Sequence, residues 1–399
     1  SLQKNTTADN NVAVGFAALN QNTTGTANTA VGKGALDANT TASDNTAVGA
    51  NALGSNTTAI NNTAVGSRAL LSTETGGGCV AIGHDCLENN TVSNNTAVGS
   101  ESMKANTTGQ YNVALGSVAL DANTTASNNT AIGYNSLGAN TTGTQNTTVG
   151  SLSSDAITTG SYNAALGYQS LSANQTAEKC TAIGSFALRD NTSSNNTAVG
   201  SSALLVNTTG VNLTAIGANA LDANTTANNN TAVGTESLGA NTTGANNVAM
   251  GVVALENNTS GDFNTAIGLD ALRANTTADS NTAVGADALT ANTTGTGNVA
   301  VGAESLESCT TSSFNTAVGF QAGDSVTTGS GHNTILGYFA ATQLTSGPFN
   351  TALGASSFRL ETTGQYNTAV GYSALENQSG VTSNQVAVGF KAYEGIEGS

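Results

Sequence analysis

The sequence predicts an all-β protein, a parallel β-solenoid (β-roll) of about 23 coils with 17 residues each. A motif of Asn, Thr or Val, Ala, an aliphatic residue and Gly recurs along nearly the whole 399-residue chain. From Gly15 to Gly389 the motif glycine advances in 22 steps, of which 18 are 17 residues, two are 16 and two are 18. Units this short and this rich in Gly, Asn and Thr do not suit a pair of helices. We therefore expect one short strand per unit, with coils stacked at about 4.8 Å.

Composition excludes several classes of protein. Charged residues make up 9% of the chain and aromatic residues 4%, with no Trp and one Pro, so the large side chains that fill a thick globular core are missing. The net charge of −16 with nine Lys and Arg opposes binding to nucleic-acid phosphates. No run of 18 apolar residues occurs, so we expect no direct membrane insertion.

The strand motif has two faces, because successive side chains of a strand alternate. Val12 and Val14 share one face with their counterparts, and Ala13 lies on the other, uniformly small face. A second apolar position, four residues after the glycine, is usually Leu, as at Leu36. We expect the Val-class residue, the Leu and alanines to fill the interior, and the small Ala/Gly face to let chains pack closely. So little apolar area per coil opposes about 1.5 kcal/mol of ordering entropy per residue, which predicts an oligomer.

Asparagine recurs at two fixed points in the unit, four residues before the glycine and seven after it. Stacked in register, these side chains form ladders that bond to the coils above and below. The predicted ladder residues are Asn28, Asn45, Asn39, Asn56, Asn106 and Asn123. Those at the second point begin Asn-Thr-Thr, the pattern of an N-glycosylation acceptor. Turn and ladder chemistry alone also selects these residues, and regular Thr rows are compatible with ice binding.

The chain divides by regularity into residues 1–310, a regular solenoid shaft, and residues 311–399, degenerate coils enriched in aromatic residues. Ten of the seventeen aromatic residues lie after residue 313. One interpretation is a cap that thickens the core, which repeat arrays require. The other is a tip that contacts a receptor. The candidate receptor contacts are Tyr338, Phe339, Phe349, Phe358, Tyr366 and Tyr372.

Residues with the chemistry of catalysis are scarce, and we expect no catalytic, cofactor or metal site. His84 and His332 are the only histidines and lie in distant coils, which leaves little material for a metal site or a catalytic triad. The carboxylates occupy variable positions typical of a solvated face. Of the four cysteines only Cys79 and Cys86 share a coil, so we expect inert thiols rather than a disulfide framework.

The repeat resembles two families of fibrous proteins. Asn28 to Gly32, followed by Ala35, Leu36 and Asn39 to Thr41, is similar to the head repeats of trimeric autotransporter adhesins. It is more similar still to repeats in bacterial and phage tail-fibre-domain proteins. The resemblance implies a left-handed, homotrimeric β-roll located outside the cell or on a virion surface. It also implies that Ser399 is an end processed by the C-terminal chaperone that many tail-fibre proteins carry.

These observations together predict a non-enzymatic structural fibre protein. We expect the shaft and tip of a phage tail fibre or of a tail-fibre-like surface adhesin. Its partners are then two further copies of the chain and a cell-surface glycan or protein receptor, held by many weak contacts at once. The alternatives are a subunit of a self-assembling extracellular filament and, with less support, an ice-binding solenoid.

Overall fold

A computed structural model describes residues 1–329, 331–376 and 383–393. It confirms the predicted parallel β-solenoid, with one strand of three residues in each coil and no helix among the described residues. Handedness and trimeric assembly stay predictions. The expected processed end, Ser399, lies outside the described residues.

The chain forms two compact units, residues 1–196 and 197–399. The first unit contains β1 (Val12–Val14), β2 (Thr29–Val31), β3 (Thr46–Val48), β4 (Thr63–Val65), β5 (Val80–Ile82), β6 (Thr96–Val98), β7 (Val113–Leu115), β8 (Thr130–Ile132), β9 (Thr147–Val149), β10 (Ala164–Leu166) and β11 (Thr181–Ile183). The second unit contains β12 (Thr197–Val199), β13 (Thr214–Ile216), β14 (Thr231–Val233), β15 (Val248–Met250), β16 (Thr265–Ile267), β17 (Thr282–Val284), β18 (Val299–Val301), β19 (Thr316–Val318), β20 (Thr334–Leu336), β21 (Thr351–Leu353), β22 (Thr368–Val370) and β23 (Val386–Val388). The aromatic-enriched coils after residue 310 continue the same one-strand coil within the second unit.

Consecutive strands within each unit pair in parallel, with equivalent residues opposite each other. In the first unit Ala30 of β2 lies opposite Ala47 of β3, and in the second unit Ala266 of β16 lies opposite Ala283 of β17. Each position of the repeat therefore forms a column along its unit. This register places chemically identical side chains next to each other, so one residue type acts repeatedly at a fixed spacing.

The small face of the strand is inside the coil, not on its surface. The middle residue is buried in every strand after β1, and Ala30 and Ala47 are 0% exposed. The flanking Thr and Val-class residues point outward, as at Ile82, which is 40% exposed. The expectation that Val-class residues line the interior was therefore wrong, as was the expectation that the Ala face packs against another chain. The Leu and Asn columns fill the interior from the opposite side of the coil. The space that remains behind the strand fits the methyl group of Ala.

Each coil turns through residues with left-handed backbone conformations. The buried Leu36 and Leu53 both have φ of 51°, a conformation that costs an L-residue about 1–2 kcal/mol. Burying a Leu side chain contributes about 1.5–3 kcal/mol, which offsets that strain. The strand-ending Gly285 has φ of 141°, and a Cβ there would lie 2.5 Å from the Gly302 carbonyl carbon. Only glycine therefore fits this corner, which accounts for its strict period.

The two asparagine columns supply hydrogen bonds to buried polar groups of the turns. In the first column the Asn45 backbone N–H donates to Asn28 Oδ1 (3.0 Å), and Asn28 Nδ2 donates to the Ala42 carbonyl (2.8 Å). In the second, Asn39 Nδ2 donates to Asn22 Oδ1 (2.8 Å) and also to the Ala42 carbonyl (3.1 Å). Buried polar groups are costly unless bonded in this way. Every predicted ladder residue is 0% exposed: Asn28, Asn39, Asn45, Asn56, Asn106 and Asn123.

Candidate functional site

The outward face of the strands is an uncharged surface that repeats from coil to coil. None of the described strands contains a charged residue, although the chain carries a net charge of −16. Thr and Val-class residues alternate with the buried Ala, so each unit presents one column mostly of Thr and one of aliphatic side chains. In the second unit Ile216 is 40% exposed and Leu336 is 48% exposed. A contiguous apolar surface of this kind typically marks a site of interaction.

A column of four stacked rings lies on the second unit. Each ring belongs to the residue that directly precedes an Asn of the first Asn column. Each of these residues has a left-handed backbone conformation with φ between 57° and 65°. Successive ring centroids are 5.2, 5.1 and 5.1 Å apart, with interplanar angles of 32°, 20° and 3°. The rings are those of Phe314, His332, Phe349 and Tyr366. These four residues occupy the same position in consecutive repeats, so the stacking of coils brings their rings together.

A second aromatic group starts at the residue after the strand glycine. Phe320 stacks on Tyr338 with ring centroids 5.7 Å apart, and Phe339 meets both rings edge-on at 5.5 and 4.1 Å. The Arg359 guanidinium lies 6.0 Å from the Phe339 ring centroid, within the range of a cation–π contact. Arg359 also pairs with Glu376 at 3.3 Å. The group therefore combines an apolar surface with a paired charge at its rim.

Four of the six predicted receptor contacts divide between these groups, and Tyr372 and Phe358 belong to neither. Phe349 and Tyr366 belong to the ring column, Tyr338 and Phe339 to the second group, and Tyr372 stacks separately on Phe390 at 5.5 Å. Phe358 is only 1% exposed, so its prediction as a receptor contact was wrong. It lies four residues after Gly354, the position that Leu fills in other coils, and therefore points into the core.

The stacking geometry limits what the ring column can bind. Rings that lie nearly parallel at about 5 Å cover each other's faces and present their edges to solvent. Sugar rings bind to aromatic faces, and at one end of the column the Phe314 ring lies against Gly297, where a Cβ would be 2.8 Å from Phe314 Cδ1. The exposed edges and the Tyr366 hydroxyl suit apolar contact with a hydrogen bond beside it. Phe314, Phe320 and Arg359 were not among the predicted contacts. Phe314 has the same position in the repeat as Phe349, and Phe320 the same position as Tyr338, so the sequence could have identified these two.

The Asn-Thr-Thr sites after the first are built into the turns of the coil, whereas Asn5 of the first site is exposed. The Asn side chains at Asn22, Asn39 and Asn106 are 0% exposed, so a glycosyltransferase cannot reach these amides in the folded coil. The hydroxyl of the following Thr is also engaged, since Thr23 Oγ1 donates to the Thr40 carbonyl at 2.9 Å. Turn and ladder chemistry is thus the interpretation that the geometry supports at these sites.

All four cysteines are free and buried. Burial raises the pKa of the Cys86 and Cys309 thiols to about 12. Burial also raises the pKa of Cys79 and Cys180, against smaller opposing effects of nearby hydrogen bonds. Thiols in this state are poor nucleophiles and poor metal ligands.

Within the described ranges, no helix has the length and apolar character that crossing a membrane requires. Comparison of the chain with family models and with curated proteins finds no match.

Proposed function

We propose that the protein is a non-enzymatic structural fibre component in which three copies pack through the outward faces of their strands. Its location is then outside the cell or on a virion surface, as a tail fibre or a tail-fibre-like adhesin. The single observation that carries the proposal is the uncharged Thr and aliphatic face, repeated on every strand. The count of three rests on the resemblance to trimeric adhesin heads.

The exposed aliphatic column favours packing against another copy of the chain. Leaving an aliphatic side chain half exposed forfeits part of the roughly 25 cal/mol per Å² that burial supplies, and the loss recurs at each coil. A second copy of the chain has the same spacing between its Thr and aliphatic columns, so its strand face is complementary in spacing to that of the first copy. The absence of charge in the strands removes like-charge repulsion from the contact, which matters for a chain with a net charge of −16.

The aromatic groups of the second unit supply the proposed contacts to a cell-surface glycan or protein. Each copy contributes the ring column and the Phe320, Tyr338 and Phe339 group. Three copies held together present each group three times, and linked weak contacts raise the total affinity without any new contact. These contacts use other columns of the coil than the strand face, but their threefold repetition depends on the packing of three copies.

A charge placed on the strand face tests the packing. Ile267 lies on this face and is 38% exposed, and Ile267→Glu introduces a carboxylate that the folded single chain tolerates. We expect sedimentation analysis to show dissociation of Ile267→Glu into single chains. The matched control is Thr294→Glu, which adds the same charge on an exposed turn residue and leaves the assembly intact. Equal masses for the two variants contradict the proposed contact face.

Electron micrographs at rising protein concentration separate the main proposal from the filament alternative. A fibre component forms discrete particles whose length does not depend on concentration. A self-assembling filament subunit forms open-ended fibres that lengthen as concentration increases.

A further inference from the structure

Six charged or titratable side chains of the first unit meet in the turns that follow β4, β5 and β6. The chain has only nine Lys and Arg and two His in total, so three basic side chains in one group are a notable concentration. Two of its carboxylates are nearly buried, with side-chain exposures of 4% for Asp85 and 8% for Glu88. The group consists of Arg68, His84, Asp85, Glu88, Glu101 and Lys104.

The ion pairs within the group leave one buried oxygen without a hydrogen bond. Lys104 Nζ lies 3.0 Å from Asp85 Oδ2, and the Arg68 guanidinium pairs with Glu88. Asp85 Oδ1 accepts no hydrogen bond, and Arg68 Nε and His84 Nε2 both lie 3.6 Å from it. That distance exceeds a normal hydrogen bond. This buried carboxylate oxygen therefore lies near the Arg68 and His84 side chains but accepts no hydrogen bond from either.

Three potential ligand atoms come together at the Asp85 carboxylate. One atom each of His84, Asp85 and Glu101 lies within 4.8 Å of the other two. An imidazole with two carboxylates is a donor set that divalent transition metals accept. The three carboxylates of the group outnumber its two cationic side chains, so one negative charge stays uncompensated. We propose that His84, Asp85 and Glu101 bind a divalent transition metal ion such as Zn²⁺, with water in the remaining positions.

Lys104 competes with a metal ion for the carboxylates of this site. Its ammonium lies 3.0 Å from Asp85 Oδ2 and 3.8 Å from Glu101 Oε2, so it neutralises two of the three ligands in the metal-free protein. A bound metal ion takes the Glu101 carboxylate from Lys104 and meets repulsion from its charge. Removing that charge while keeping the length of the side chain should therefore strengthen metal binding.

Calorimetric titration of Zn²⁺ into the full chain tests the site. We expect one ion per chain, with affinity reduced at least about tenfold in His84→Asn because one of three ligands is lost. His84 is 57% exposed, so this change leaves the fold in place. The matched control is His332→Asn, which removes the other histidine from the ring column and should bind Zn²⁺ like the unmodified chain. Lys104→Met should bind more tightly than the unmodified chain.

Three results overturn the proposal. One is the absence of saturable Zn²⁺ binding at millimolar concentration. Another is equal affinity in His84→Asn and the unmodified chain, which places any bound ion elsewhere, the thiols included. The third is a loss of affinity in Lys104→Met, since the lysine then supports binding rather than competing with the metal. None of these results bears on the packing of chains through the strand face, which is tested separately.

Discussion

At the scale of single residues, the backbone imposes left-handed conformations on residues that seldom adopt them. The second residue after the strand glycine is Asn at Asn51 and Asn219, with φ of 57° and 55°, and Asn tolerates this region well. Val118 and Val253 occupy the same position with φ of 50° and 52°. A β-branched side chain in this conformation is strained.

The strain predicts a stabilising substitution. We expect Val253→Asn to be more stable than Val252→Asn by about 1 kcal/mol, because only the first relieves a left-handed Val. Val252 is its exposed neighbour and has no such backbone conformation, so both variants lose a similar side chain. Thermal unfolding of the two variants gives the difference. Equal midpoints, or a lower midpoint for Val253→Asn, contradict the account of the strain.

At the scale of the coil, an aromatic residue lies in the core or on the surface according to its position in the repeat. Phe358 replaces the interior Leu and is buried, whereas Tyr366 lies in the ring column and is 53% exposed. The core therefore depends on Phe358, and the surface column adds stacking alone.

This difference predicts unequal costs of truncation. We expect Phe358→Ala to destabilise its coils by about 3–5 kcal/mol, the usual cost of deleting a buried ring. Tyr366→Ala loses one stacked pair, worth about 0.5–1.5 kcal/mol. Hydrogen exchange of the Phe358 amide, which donates to the Ala374 carbonyl at 2.8 Å, reports the local opening free energy in both variants. Similar exchange rates in the two variants contradict the assigned core and surface positions.

The period of the sequence was enough to predict one strand per coil, the stacking of coils and the fold class. It was not enough to predict which strand face turns inward, because alternation defines two faces without ranking them. Val is more apolar than Ala, so hydrophobicity favoured the wrong face, and the width of the interior decided the matter. The position of Phe358 in the repeat could have placed it in the core, since it lies four residues after Gly354, where other coils have Leu. Position in the repeat could also have paired Asp85 with Glu101, the second residues after Gly83 and Gly99.

At the scale of the whole molecule, partly buried carboxylates make stability depend on pH. Burial is the main cause that raises the pKa of each of five groups: Asp121, Asp155, Asp222, Glu307 and Asp324. A group with a raised pKa binds its proton more tightly in the folded state than in the unfolded state. Its contribution to stability is therefore present in acid and is lost as pH rises through the folded-state pKa.

We accordingly expect the protein to unfold at a higher temperature at pH 5 than at pH 7. The net charge of −16 acts in the same direction, since protonation reduces self-repulsion. Scanning calorimetry at the two pH values measures the effect. The double variant Glu307→Gln with Asp324→Asn should show a smaller difference, because it removes two of the titrating groups. A lower unfolding temperature at pH 5 contradicts the assigned directions.

The central claim is that the uncharged strand face of one chain packs on the same face of other chains. The mass of the unmodified protein in solution, measured by light scattering during size-exclusion chromatography, tests it most directly. Each chain has a mass of 39.2 kDa. The account predicts a particle of three times that mass over a range of concentrations. A single-chain mass at every concentration contradicts it, because the aliphatic columns then stay exposed to water.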